Sequence, residues 1–434
     1  MSEQLVLIDV LQDQKIESSS TPKHGKPKLK CAVRDQVEIK IGCLDDLLPK
    51  EHLARKVWRY VEGLDLSIAL NQIQSFEGTA GRSATDPKIL LSLWLYGTID
   101  GIGSARLLCE YCGMHDAYRW LCGDVNVNYH TLSDFRSLQQ ELFDELLTES
   151  VAILAQNNLI SLEAISQDGM RVRASAGASS FKRKATLKVK LGLARTLVAD
   201  LKKEAQQNPE GNRKRKEAAQ KRAAEESEKR ISKAITELNE VRKSKIRSGK
   251  KELRKVKKEV LEKTRASVTD PEARVMKMPC GGFRPAYNVQ FATTNEGKAI
   301  VGVDVTKSGS DQKQTINMIN QIKKRYNKTP KTWFQDSGYK NNDQYEKFVK
   351  QYEDCTVYMP CKASKNESAA MQELRERMET DEAKEMYKAR AATAEYANAV
   401  ARGRGMQQFA VRGLAKVKNV ALMFTITHNM YLFF

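Results

Sequence analysis

The sequence predicts an α/β fold, α+β over the whole chain, in which a mixed sheet is flanked by helices. Three observations predict it: helical periodicity fills residues 44–157, strand-like runs occupy 158–181 and 266–430 together with further helices, and a basic stretch at 182–265 separates those runs. We therefore expect a flexible polar tail at 1–43, then an all-helical domain, then a split α/β domain interrupted by a basic helical or coiled-coil insertion. The length of 434 residues and the 41% hydrophobic content allow more than one core.

The expected helical domain has clear helix boundaries. Asp86 is placed to cap a helix whose first residue is Pro87, and Ser104 is placed to cap another helix after a Gly-Ile-Gly break. A last helix is expected to run unbroken from about 131 to 158. Short helices joined by glycine turns suit a helix-turn-helix DNA-binding domain and a plain helical bundle equally well. If DNA binds here, the candidate phosphate contacts are Arg82, Arg106, Arg119 and Arg136.

The net charge is concentrated in one segment. The chain has 73 Lys and Arg against 54 Asp and Glu, a net charge of +19. Residues 182–265 alone contain 29 Lys and Arg against 12 Asp and Glu, which is nearly all of the excess. Apolar residues recur there at three-, four- and seven-residue spacings, as in a long helical hairpin or coiled coil. A merely solvated helix would carry balanced charges, so the excess predicts contact with the phosphates of a polyanion.

Two aspartates fall in strand-like runs of the split domain. The stretch KTWFQDSGYK contains a short apolar strand that ends at Asp336, and Gly338 is expected to let the backbone bend sharply. In open sheets, sites gather at the carboxyl ends of strands. Asp168 lies in LISLEAISQDGMRVRASAG, where Asp-Gly is also the commonest short hairpin turn, and local grounds favour that turn.

Metal-assisted phosphoryl transfer requires two or three converging carboxylates, because Mg²⁺ prefers oxygen ligands and two ions can clamp the attacking and leaving oxygens. Asp168 and Asp336 can supply two, and the third has to come from the C-terminal helical segment. There Glu395 shares a helix face with Lys388 and Arg402, seven residues away on either side. An ordinary solvated helix with alternating charges explains the same spacing. The rival carboxylates on this segment are Glu382 and Glu385.

Seven stretches together carry a family resemblance. They are TDPKILLSLWLYGTIDGIGSARLL, YRWLCGDVNVNYHTLSDFR, SQDGMRVRASAG, TDPEARVMKMPCGGFRPAYNVQFATT, FQDSGYKNNDQY, YKARAATAE and QFAVRGLAKVKNVAL. With them the chain resembles bacterial insertion-sequence transposases of the DDE type, whose catalytic domain has the ribonuclease H and integrase fold. The resemblance extends over about 44–430, and the combined pattern of the stretches is specific where each fragment alone is weak.

The resemblance implies a ribonuclease-H-like catalytic domain behind a helical DNA-binding domain, and it implies roles for particular residues. The catalytic, metal-binding acids would be Asp168, Asp336 and Glu395. The substrate-binding residues of the third motif would be Tyr387, Arg390 and Arg402. This motif departs twice from its best-known version: four residues rather than three separate Arg390 from Glu395, and Arg402 stands in place of lysine.

The resemblance also implies the reaction: the protein would bind the ends of its insertion sequence and catalyse cleavage and strand transfer on double-stranded DNA. Two Mg²⁺ or Mn²⁺ ions would assist, in a homodimer or higher oligomer on DNA. With no basic leader and no long apolar segment, a cytoplasmic, nucleoid-associated protein without a membrane anchor is expected. Two alternatives stay open. One is a ribonuclease-H-like nuclease that does not join strands, and the other is a truncated or repurposed DNA-binding protein that does not cut.

Overall fold

The computed structural model describes residues 42–76, 82–207, 214–247, 261–364 and 367–434. The expected polar tail at 1–43 lies outside these residues except for its last two. Parts of the basic stretch, at 208–213 and 248–260, also lie outside them. Leu44–Phe434 forms a single packing unit.

The described chain begins with helices, as predicted. They are α1 (Leu53–Glu62), α2 (Ser67–Leu70), α3 (Pro87–Ile99), α4 (Ala105–Met114), α5 (Asp116–Cys122), α6 (Tyr129–Leu138) and α7 (Gln140–Gln156). Asp86 accepts a hydrogen bond from the Lys88 N–H and Ser104 accepts one from the Leu107 N–H, so both predicted caps are confirmed. The single helix expected over 131–158 is wrong. Gln139 leaves helical geometry between α6 and α7, and its buried amide instead donates to Gln72.

The strands of the described residues form one larger sheet and one small one. In chain order they are β1 (Ala164–Arg173), β2 (Phe181–Arg183), β3 (Arg265–Ser267), β4 (Arg274–Lys277), β5 (Phe283–Thr294), β6 (Ile300–Thr306), β7 (Thr332–Phe334) and β8 (Thr356–Tyr358). In the larger sheet β5 pairs antiparallel with β1, β4 and β6, while β1–β7 and β7–β8 pair in parallel. The small sheet is the antiparallel pair β2–β3. The mixed sheet predicted from the sequence is confirmed.

The first strand runs straight through Asp168 and Gly169, so the hairpin turn that local sequence favoured is wrong. Asp168 pairs opposite Phe291 and Gly169 opposite Gln290, both on β5. A Cβ atom at position 169 would lie 2.2 Å from Gln290 Nε2 and 2.7 Å from Asp311 Oδ1. The glycine therefore allows close approach of neighbouring side chains within a strand, where a turn would have used its freedom of φ.

Further helices follow the first strands. They are α8 (Lys184–Gln207), α9 (Lys214–Arg247), α10 (Thr315–Tyr326), α11 (Asn342–Gln351), α12 (Ala369–Glu379), α13 (Asp381–Gly403) and α14 (Leu414–Met430). Short 3₁₀ helices lie at Leu44–Leu47, Ala178–Ser180, Ser337–Tyr339 and Tyr431–Phe433. None of the described helices is long and apolar enough to span a membrane.

Three helical contacts determine how these parts fit together. The basic helices α8 and α9 pack against each other, and Glu237 of α9 forms ion pairs with Arg274 and Lys307 beside the larger sheet. Helix α13 packs on β1 and β5. Helix α14 packs on β6 and on helices of the N-terminal part, so that one continuous apolar core runs from the first helices to the sheet.

Candidate active site

Asp168 and Asp336 lie side by side on adjacent parallel strands. β1 and β7 pair up to Ser166 opposite Phe334, and each aspartate follows two residues later on its own strand. Neighbouring strands lie about 4.8 Å apart. The carboxylate of Asp168, in the middle of β1, therefore lies near that of Asp336, just past the carboxyl end of β7, and repulsion from Asp336 raises the pKa of Asp168.

A buried row of glutamines holds β1 and the end of β7 in register. Gln167 and Gln335 immediately precede the aspartates, and successive side chains point to opposite faces of a sheet, so the amides occupy the other face. Gln335 Nε2 donates to Gln167 Oε1 at 2.8 Å, and Gln167 Nε2 donates to Gln290 Oε1 at 3.1 Å. All three side chains are buried. Because a buried amide without a partner is costly, a slip of either strand is strongly disfavoured.

Helix α13 covers Asp168 with a cation and an amide. Arg390 Nη2 lies 3.4 Å from Asp168 Oδ1, and Asn398 Nδ2 donates to Oδ2 at 2.9 Å. The Gly169 N–H donates to Oδ1 at 2.9 Å. Arg390 and Asn398 are both buried, eight residues apart along α13 and about 80° apart around it. Arg390 Nε and Asn398 Oδ1 have no partner within the described part of the chain, so polar capacity remains unused beside Asp168.

The electrostatics of Asp168 favour a cation. Burial raises the pKa of Asp168 to about 6, Arg390 and the Gly169 N–H lower it, and repulsion from Asp336 and Asp311 raises it. A carboxyl group whose ionised form is disfavoured by burial and by neighbouring acids is one that a divalent cation stabilises. The acidic residues present thus suit a hard metal ion with oxygen ligands.

Asp336 adopts a defined conformation at the end of β7. Its Oδ1 accepts a hydrogen bond from the Gly338 N–H at 2.9 Å and caps the 3₁₀ helix Ser337–Tyr339. The bend expected at Gly338 is therefore a 3₁₀ turn, and Gly338 does not adopt a positive φ. A Cβ at position 338 would lie 2.9 Å from Asp336 Oδ1, so contact with the carboxylate favours glycine here.

Two of the predicted third-motif residues join this group. Tyr387 donates from its hydroxyl to the Gln335 carbonyl at 3.0 Å. The Arg390 guanidinium lies 5.9 Å from the centroid of the Tyr387 ring. The structure therefore brings Tyr387 and Arg390 to the two aspartates.

Glu395 and Arg402 are not brought into contact with this group. Both are exposed on α13. Glu395 lies about 60° around the helix and about 4.5 Å along it from Asn398, at the edge of the face that covers Asp168. In the chain as described, no hydrogen bond or ion pair joins Glu395 to Asp168 or Asp336, and no group of three or more His, Cys, Asp or Glu side chains is placed to hold a metal ion. The rivals Glu382 and Glu385 are exposed too, and Glu385 pairs with Lys388.

Sequence reasoning missed two further side chains near Asp168. Asp311 follows β6 and accepts hydrogen bonds at 2.6 Å from Asn288 Nδ2 and from Gln290 Nε2. Asn398 belongs to the buried stripe of α13 that also contains Arg390. The helical spacing of that stripe was a usable signal for Asn398. No motif marks Asp311, because its place depends on the tertiary path of the loop after β6.

Comparison with known protein families gives two matches. Residues 42–138 match the family model described as a transposase domain (DUF772), and residues 325–433 match the model described as a transposase DDE domain. The second match includes Asp336, Tyr387, Arg390 and Glu395. No curated protein and no solved structure matches the chain.

These two matches support a transposase of the DDE class. The chain belongs to the insertion-sequence DDE transposases.

Proposed function

We propose that this transposase binds the ends of its insertion sequence and catalyses metal-dependent cleavage and strand transfer of double-stranded DNA. The observation that carries the proposal is the alignment of Asp168 and Asp336 on adjacent parallel strands, beside the buried guanidinium of Arg390. Two adjacent acids hold a divalent cation, and an arginine beside them suits the phosphate that the cation polarises.

The strand order supports a ribonuclease-H-like catalytic domain. Along the larger sheet the order is β5, β1, β7 and β8, and β4 and β6 both pair with β5. The pairs of β5 with β1, β4 and β6 are antiparallel, and the pairs β1–β7 and β7–β8 are parallel. The acids lie at the centre of that order, on β1 and directly after β7. This places the proposed chemistry at the middle of the sheet, where α13 can cover it.

Asp168, Asp336 and Glu395 would hold the metal. Two Mg²⁺ or Mn²⁺ ions at these acids would lower the pKa of the attacking water or 3′ hydroxyl and neutralise charge on the transferring phosphoryl group. The residues present fit such ions: Asp168 has a raised pKa and repelling acidic neighbours, and the buried Asn398 Oδ1 has no partner among the described residues. Glu395 is the exposed acid nearest along α13 to Asn398, so we assign it as the third carboxylate.

Other side chains would hold the substrate phosphates or orient the acids. Arg390 contacts Asp168 and keeps a free Nε, so it can hold a substrate phosphate next to the acids. Tyr387 binds the Gln335 carbonyl and thereby fixes the backbone just before Asp336. Arg402, exposed at the end of α13, is available to a phosphate further along the DNA.

One site would serve two successive steps. In the first, water attacks a phosphodiester at the element end and releases a 3′ hydroxyl. In the second, that hydroxyl attacks a phosphodiester of the target DNA. Because two element ends join one target, at least two copies of the protein would assemble on the DNA.

The position of Glu395 favours a second candidate, a DNA-binding protein that has lost cleavage. An exposed Glu395 without contact to Asp168 is what such a protein would keep. The third candidate, a nuclease that does not join strands, uses the same acids. One assay separates the three: the native chain is incubated with Mg²⁺, a labelled duplex carrying the element end and a target plasmid. Joined products support the transposase, cleaved but unjoined products support the nuclease, and binding without cleavage supports the binding protein.

A further inference from the structure

We infer that the groove between α4, α6, α9 and the start of α14 is a second anion site, built to hold a phosphodiester of the DNA backbone away from the acidic centre. This inference rests on the proposed function, because it supplies the contact that would hold DNA during catalysis. Its evidence is independent of the aspartates.

Cations outnumber carboxylates among the side chains that line the groove. It has a volume of about 510 Å³. It lies between the helical N-terminal part, the basic hairpin formed by α8 and α9, and the segment that leads into α14. Its carboxylates are Glu226 and Glu272. Its Lys and Arg residues are Arg106, Arg136, Arg230, Lys233, Arg412 and Lys416.

The two carboxylates are already engaged. Glu272 accepts hydrogen bonds from Lys233 Nζ at 2.8 Å and from the Leu414 N–H at 3.0 Å, so it caps α14 as well. Glu226 lies 3.9 Å from Arg230. The other four cations of the groove have no carboxylate partner among the described residues: Arg106, Arg136, Arg412 and Lys416.

Arg136 is the strongest single indication of an anion. It is 5% exposed, its guanidinium lies 3.9 Å from the ring centroid of Trp94, and Nη1 donates to the Gly103 carbonyl at 2.8 Å. Its Nε has no partner in the described chain. Burial lowers the pKa of Arg136 to about 10, which still leaves it charged at neutral pH. A buried cation without a counter-charge costs stability, and an anion in the groove would remove that cost.

The chemistry of the groove suits a phosphodiester. Arg106 is held over the Tyr129 ring at 4.7 Å, and the guanidinium fork of arginine matches phosphate oxygens in pairs. Helix α4 begins beside it at Ala105, and the N-terminus of a helix attracts anions. Cations on separate elements, spread along a groove of this size, match successive phosphates of a backbone better than one small anion. Free inorganic phosphate shares this chemistry, so the test has to distinguish the two sources.

The test uses the full-length chain and a duplex carrying the element end, with chelator present so that no cleavage occurs. The variant combines Arg106→Glu with Lys416→Glu, both at exposed positions. The control combines Lys324→Glu with Lys328→Glu, which makes the same change in net charge at exposed positions near the end of α10. DNA affinity is measured over a range of KCl concentrations.

We expect the groove variant to bind DNA at least about tenfold more weakly at 0.1 M salt. Its plot of log affinity against log salt should be shallower by about 0.9 for each lost phosphate contact. The control should keep the native slope. Equal losses in both variants would show that only net charge matters and would overturn the inference.

Two further measurements test the role of Arg136 and the binding of free phosphate. Arg136→Leu should weaken DNA binding in the same way, and thermal unfolding shows whether that variant folds; if it does not, the surface double variant alone decides. Titration with inorganic phosphate tests the other source. Tight phosphate binding, together with native DNA affinity in the double variant, would make the groove a small-anion site and refute the assignment to DNA. A native chain that binds DNA through the groove but never cleaves would contradict the proposed catalysis and leave this inference intact.

Discussion

Asn398 Nδ2 donates a hydrogen bond of 2.9 Å to Asp168 Oδ2, joining residues 230 positions apart. The contact ties helix α13, which carries the proposed third motif, to the first acid of the site. It also fixes one carboxylate oxygen of Asp168, while Arg390 approaches the other. Asn398 is therefore expected to act as a positioning residue for Asp168.

Replacing Asn398 with alanine should lower cleavage by about 10- to 100-fold, as is usual for residues that orient a metal ligand. The amide also stabilises the ionised carboxylate, so the acid limb of the pH–rate profile should move to higher pH. Steady-state cleavage from pH 5 to 8 measures both effects, and Asn157→Ala on the exposed end of α7 is the control. An unchanged rate with an unchanged acid limb would contradict the positioning role.

The raised pKa of Asp168 predicts a pH dependence of stability in the metal-free chain. The pKa rises from 3.8 to about 6 on folding. The protonated form is thus favoured in the folded state, so the stability that this group contributes is present below pH 4 and is lost as pH rises through 6. The difference in unfolding free energy between Asp168→Asn and the native chain should therefore shift in favour of the variant, by at most about 3 kcal/mol, between pH 4 and pH 7.

Urea unfolding of both chains with chelator present measures this difference. Other titrating groups cancel when the two chains are compared at each pH. A constant difference would mean that Asp168 titrates normally in the folded chain. Divalent metal should reduce the effect, because a bound cation stabilises the carboxylate.

Glu395→Gln should abolish Mg²⁺-dependent cleavage and strand transfer while leaving DNA binding within about twofold of native. The reason is that catalysis would require its carboxylate at the metal together with those of Asp168 and Asp336. Glu382→Gln and Glu385→Gln, on the same helix, serve as matched controls and should keep activity. If a control loses activity and Glu395→Gln does not, the third acid has been assigned to the wrong residue.

The basic hairpin should supply much of the salt dependence of DNA binding. At the base of the hairpin, Arg183 of β2 pairs antiparallel with Arg265 of β3. Residues 184–264 can therefore be replaced by a two-residue Asn-Gly turn that preserves β2 and β3. Fewer counterions would then be released on binding, and the salt slope should be shallower than that of the native chain. Binding of one duplex at several KCl concentrations gives the slopes, and an unchanged slope would exclude the hairpin from DNA contact.

Helix caps and the mixed sheet could be predicted because they depend on local chemistry. Asp86 before Pro87 needs only a side-chain acceptor and a fixed φ, and both act within one turn. The short strand before Asp336 is apolar enough to require burial. By contrast, the Asp168–Gly169 pair has strong local preference for a turn, and a tertiary requirement overrode it: Gly169 must leave room for Gln290 and Asp311.

The site could be predicted only in part, because contacts across the sheet set its details. Two acids could be named because each follows or occupies a strand-like run. The glutamines that precede them could not be predicted, because they act through hydrogen bonds between β1, β5 and β7. The spacing of charges along α13 did not distinguish a catalytic Glu395 from an ordinary solvated acid. Because Glu395 is exposed, its catalytic role stays a prediction.

We propose that Asp168 and Asp336 together hold the metal ion required for DNA cleavage. The most direct measurement is cleavage and strand transfer by the native chain, by Asp336→Asn and by Asp343→Asn, an exposed acid on the neighbouring α11 that serves as control. We expect Mg²⁺-dependent cleavage with joined products from the native chain and the control. For Asp336→Asn we expect cleavage to fall by at least about 1000-fold while DNA binding is retained. Cleavage by Asp336→Asn at the native rate would contradict the proposal.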